Sequence, residues 1–139
     1  MVRSMHRARS DAGPATLRGN IYVVVGFDGV APTNTAEVFC PGTGRWSMIS
    51  PMRVARSGVK VAAMNSMLYV VGGWDGQQRL RSGEMYNPDT KVWTALPDMM
   101  VPRYNHSLVV VQKRLVVICG YQGTETTSKV EVLDRSSNT

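Results

Sequence analysis

Few side chains in this sequence have the types and spacing to do chemistry. His6 and His106 are its two histidines, and neither has a partner at His-x-x-x-His or Cys-x-x-Cys spacing. A copper site would need several His and Tyr ligands converging, which two unmatched histidines do not supply. Cys40 and Cys119 stand at unrelated places and form neither a disulfide framework nor a metal knuckle, so they read as reduced, buried small side chains. Glu37, Glu84 and Glu131 are candidate acid–base carboxylates. They recur at equal spacing, however, and an acid–base pair needs two different environments. Gly72-Gly73-Trp74-Asp75-Gly76 lacks the lysine and the helix of a phosphate loop and reads as a strand end and turn. The expectation is a chain that is not an enzyme and that holds no cofactor and no metal.

The equal spacing of the glutamates belongs to a wider pattern. The chain matches itself without gaps when shifted by 47 residues. Val25-Gly26, Gly72-Gly73 and Cys119-Gly120 fall in register, as do Arg9, Arg56 and Arg103. The same holds for Met5, Met52 and Met99, for Phe39, Tyr86 and Leu133, and for Trp46 and Trp93. A fixed period of this length marks a repeat architecture and takes precedence over local structure signals.

Each unit contains four short segments rich in β-branched and aromatic residues, bounded by Gly, Pro, Asn or Asp. They are predicted as strands at 12–16, 20–25, 35–39 and 46–49, then 59–63, 67–71, 82–86 and 92–96, then 107–111, 114–119 and 129–133. Gly19-Asn20 signals the first hairpin turn. Short connections join antiparallel neighbours, and a four-stranded meander cannot bury both its faces alone. Stacked radially, such sheets shield one another, which is the propeller solution. No sustained 3.6-residue apolar spacing supports helices. The fold class expected is therefore all-β: about three four-stranded antiparallel blades of a partial propeller, with repeats at 5–50, 51–97 and 98–139, the last lacking its fourth strand. Residues 1–4 align with 48–51, so the chain reads as a fragment rather than as half of a ring completed by a second copy.

Bulk properties fit a globular domain, with 43% apolar and 19% charged residues. No apolar run reaches the roughly 18 residues of a membrane span. The basic N-terminal stretch lacks the apolar core of a secretory signal, and the expected location is cytoplasmic. The net charge of +6 is dispersed, so neither nucleic acid nor membrane is an expected partner. Two readings of that charge stay open: a solvated basic surface, or a rim that steers acidic peptides inward.

Pro51-Met52, Arg56-Ser57, Gly72-Gly73-Trp74-Asp75-Gly76, Glu84-Met85-Tyr86, Asn87-Pro88-Asp89-Thr90 and Trp93 together resemble the kelch repeat, in the form found in kelch-like (BTB-BACK-kelch) adaptor proteins. The resemblance covers the whole chain and implies a six-bladed β-propeller in an intact protein. It implies upstream BTB and BACK domains, absent from this sequence, that bind a cullin-3 scaffold. The propeller would then capture a substrate protein for ubiquitin transfer. Other relatives are linked to actin, which leaves a cytoskeletal, actin-binding reading as the alternative. Several positions depart from the pattern. Val25 and Cys119 replace the first glycine of the pair and must fit a looser spot. Gln122, Tyr104 and Leu133 replace Asp, Ser and the aromatic, so the third unit is expected to be the least stable.

In an up-and-down unit, the loop after the second strand and the link into the next unit open on the same face. This gathers Arg9-Ser10, Arg56-Ser57 and Arg103-Tyr104 with Phe27, Trp74 and Tyr121. Kelch-like relatives bind substrate peptides at these positions and five residues after the aromatic, which corresponds to Pro32, Arg79 and Thr126. The candidate partner-binding residues are Arg79, Trp74, Ser57, Arg56, Ser10, Phe27, Tyr104 and Tyr121, facing a substrate protein or peptide loop of acidic or hydroxyl-rich character. The recurring arginines read equally as scaffold. Phe39, Tyr86, Trp46 and Trp93 read as blade-to-blade packing, and the three glutamates as charges answering an arginine.

Overall fold

The structure, a computed structural model, describes residues 2–133. The chain forms three antiparallel sheets and, among the described residues, no helix. The first sheet holds β1 (Gly13–Leu17), β2 (Asn20–Phe27), β3 (Pro32–Cys40) and β4 (Arg45–Ile49) in sequence order. The second holds β5 (Lys60–Met64), β6 (Met67–Val71), β7 (Gly83–Asn87) and β8 (Val92–Ala95). The third holds β9 (Ser107–Val111), β10 (Arg114–Ile118) and β11 (Val130–Leu133). The 47-residue period has thus become three blades, the third with three strands among the described residues.

The hairpins explain the strand boundaries. The first turn is Arg18-Gly19, one residue earlier than expected, because Asn20 already pairs with Leu17. Both central residues have positive φ, as they do in the equivalent turns Asn65-Ser66 and Gln112-Lys113. This is the two-residue geometry whose twist matches that of the flanking strands. β3 begins three residues before its expected start. A bulge between Val24 and Gly26 bends β2 but lets pairing resume at Gly26–Thr33 and Phe27–Pro32. In the other blades the strand breaks at this place, and single bridges Trp74–Arg79 and Tyr121–Thr126 carry the pairing on.

Two apolar clusters fill the spaces between blades. Tyr22 and Val24 of the first blade meet Leu68, Val70, Tyr86 and Trp93 of the second. Tyr69 and Val71 of the second meet Leu115 and Val117 of the third. Rings pair within a blade, Phe39 with Trp46 at 5.2 Å and Tyr86 with Trp93 at 4.9 Å, and across blades, Tyr22 with Tyr86 at 6.4 Å. Each buried ring contributes about 2–3 kcal/mol. β1 and β5 approach so closely that a Cβ on Gly13 would lie 2.3 Å from the Val61 side chain.

Two expectations are corrected. Val25 does not sit in a looser spot: it is fully buried in the first cluster, with φ +53, a conformation unusual for a β-branched residue. The two cysteines are not both buried, since Cys40 is half-buried and Cys119 is exposed.

A candidate partner-binding rim

The three arginine positions are built alike. Arg9 donates from Nη1 to the carbonyls of Val25 (2.9 Å) and Thr35 (2.8 Å), and from Nη2 to Glu37 (3.0 Å). Arg56 bonds Gly72, Ser82 and Glu84 in the same way, and Arg103 bonds Cys119, Lys129 and Glu131. Each glutamate also accepts two backbone N–H groups from the segment before its arginine: His6 and Arg7, Arg53 and Val54, Met100 and Val101. Burial pushes the Glu37 and Glu131 carboxyls up, but these donors outweigh it and hold both below the usual carboxylate range. Arg56 and Arg103 are 0% exposed. Each clamp ties the entering link to the second and third strands of its blade. Of the two readings left open for these arginines, the scaffold one describes what they contact.

Above the clamps, the link and the post-β2 loop exchange paired backbone hydrogen bonds. Ser10 and Phe27 bond in both directions at 2.9 and 2.8 Å, Ser57 and Trp74 at 2.9 and 2.9 Å, and Tyr104 and Tyr121 at 3.0 and 2.8 Å. The blades are stitched to one another here as well. Gly26 N–H donates to Arg56 O, and Gly73 N–H to Arg103 O. Asp11 O accepts from Gly58 N–H, and Gly58 O accepts from Asn105 N–H. Asp11, Gly58 and Asn105 all have positive φ, and Asp, Gly and Asn are the residues that adopt it most readily.

This arrangement brings most of the expected residues together. Ser10 is exposed, and Phe27, Trp74, Arg79, Tyr104 and Tyr121 are half-buried. Arg56 and Ser57 are not on the open surface: at 0% and 1% exposure they lie under it. Arg79 spans two blades. Its backbone bridges Trp74, and its guanidinium carbon lies 5.2 Å from the centre of the Tyr121 ring in the next blade. The Tyr121 hydroxyl donates to Gly123 O at 2.6 Å, which holds the ring as a platform. A guanidinium over an aromatic face interacts through its plane and leaves its terminal N–H groups for a carboxylate, while Arg79 Nε is buried. Asp28 and Asp75 each accept two backbone N–H groups through Oδ1, fixing the loop tips beside the rim.

Two features escaped the reading by residue type. Tyr104, where the pattern has Ser, is seated where a Cβ on Gly58 would meet its ring at 2.1 Å, and the glycine one blade back is the signal for it. His106, without a metal-ligand partner in the sequence and expected to be polar or partly buried, is 1% exposed. Burial, with Arg103 and Lys60 nearby, pushes its pKa down to about 4. Its neighbour Gly72 has no room for a side chain: a Cβ there would lie 2.9 Å from the imidazole.

Three stacked antiparallel blades with loops gathered at one rim define a partial β-propeller, a fold that ordinarily binds proteins. The kelch motif matches residues 8–53, 55–100 and 102–139, and the chain belongs to the kelch-repeat family. No curated protein matches this sequence.

Proposed function

We propose that this chain is the substrate-capturing part of a cullin-3 ubiquitin ligase adaptor, and that it recognises an acidic protein loop through the rim around Trp74, Arg79 and Tyr121. The observation that carries the recognition surface is the Arg79 guanidinium poised over Tyr121 across a blade boundary. An incoming carboxylate would meet an already ordered cation, so little side-chain entropy is lost on binding. Ser10, Phe27 and Tyr104 complete the surface. The adaptor role rests on the kelch-like wording of the repeats, with cullin-3 contacted only through domains outside this chain.

Affinity capture with the parent protein tests this. Recovery of cullin-3 together with a second protein is expected, and Arg79→Ala should lose the second protein while retaining cullin-3. Absence of cullin-3 would overturn the adaptor role. Cosedimentation of this chain with actin filaments at physiological salt would favour the cytoskeletal alternative instead.

A further inference from the structure

The boundary between the first and second blades is tight at its inner end, where β1 meets β5 and a Cβ on Gly13 would have no room beside Val61. At its outer end, between β4 of the first blade and the turn joining β7 to β8 of the second, it opens into a cleft of about 340 Å³. Met48, Ile49 and Pro88 give the cleft apolar walls, and Met48 is exposed there. Its polar lining offers donors. Tyr22 and Tyr86 meet across the boundary, and burial pushes both phenols up, so each stays protonated at neutral pH. Tyr86 is 3% exposed and packs on Trp93, yet its hydroxyl bonds no protein group among the described residues. Lys91, in the turn, adds a cation without an ion-pair partner among the described residues. The Ser50 hydroxyl donates to Lys91 O at 2.8 Å and ties that turn to the first blade. No acidic side chain lines the cleft, and Asp89, in the same turn, is held by Arg18.

We infer that this cleft binds a small organic anion: an apolar body ending in a carboxylate. The carboxylate accepts a hydrogen bond from the Tyr86 hydroxyl and lies against Lys91, and the body covers Met48, Ile49 and Pro88. Hydrogen bonds to an ionised acceptor are the strong ones, and a small concave site with apolar walls and a few donors is the usual form of a small-molecule site. A phenol already held by ring packing loses little freedom when the ligand arrives. The hydroxyl is not a requirement of the fold, because Phe39 and Leu133 stand in register with Tyr86 and carry none. A neutral ligand of the same shape forgoes the charge-assisted bond and leaves Lys91 unanswered. The site is separate from the rim and does not rest on the function proposed for it.

The probe is hydrocinnamate, titrated calorimetrically into the full chain beside its neutral counterpart, hydrocinnamyl alcohol. Saturable binding of the acid is expected, at least about tenfold tighter than that of the alcohol. Tyr86→Phe removes the donor and keeps the ring. It should leave the unfolding midpoint in place and weaken the acid about fivefold or more. Lys91→Met should weaken it about threefold or more. Arg79→Ala should leave it unchanged. No saturable binding of the acid, equal binding of acid and alcohol, or full affinity in folded Tyr86→Phe or Lys91→Met would overturn the proposal. Loss on Arg79→Ala would do so as well, by moving the ligand to the rim.

Discussion

At the residue scale, the clamp arginines and the rim arginine make opposite demands. Arg56 is a buried cation whose charge is answered by Glu84 and by two carbonyls. Arg56→Met would leave Glu84 buried without its cation and should cost about 3–5 kcal/mol in denaturant unfolding. Arg18, by contrast, bonds Asp89 through both terminal nitrogens on an exposed surface, and Arg18→Ala should leave the unfolding midpoint unmoved. Acid sensitivity follows from the buried titrating groups. Between pH 6.5 and about 4 the unfolded chain takes up a proton that folded His106 refuses, so stability falls as pH drops through that window. Glu37 and Glu131, held below the usual range, contribute stability that is present above about pH 4.5 and lost as pH falls further. Unfolding measured from pH 7 to 4.5 should therefore show a decline of roughly 2–3 kcal/mol from His106. His106→Val, which copies Val59 at the equivalent place, should flatten it.

At the scale of the strand and its turns, the sequence shows more than at the scale of the residue. All eleven strands of the described residues were legible, because alternation, glycine and the period repeat the same information three times. The start of β3 was not, since pairing beyond a bulge depends on what the bent strand meets and not on propensity. The expected rim was legible in its bridged pairs, Ser10–Phe27, Ser57–Trp74 and Tyr104–Tyr121, because loop position follows from strand order. The burial of Arg56 and Ser57 was not, since it combines the contacts of Arg56 to Gly72, Ser82 and Glu84 inside the repeat with backbone hydrogen bonds that stitch each blade to the next. Gly58 carries that stitching. Gly58→Ala places a methyl against the Tyr104 ring at φ +64, and it should destabilise the fold by about 2 kcal/mol. Tyr104→Ser, which restores the residue found at positions 10 and 57, should recover part of that loss by removing the ring.

At the scale of the whole molecule, the repeat separates the residues that hold the sheets from those of the proposed recognition rim. Clamps and inter-blade clusters hold the sheets, and the rim side chains lie on the loops above them. Trp74, Arg79 and Tyr121 contribute to the rim without occupying either apolar cluster. That division is tested most directly by measuring thermal unfolding and capture of the partner protein side by side for Arg79→Ala and Arg56→Met. Arg79→Ala is expected to melt within about 2 °C of the unaltered chain while partner capture falls about tenfold, and Arg56→Met to melt at least about 8 °C lower. Undiminished capture by Arg79→Ala, or a melting loss in Arg79→Ala as large as that in Arg56→Met, would contradict it.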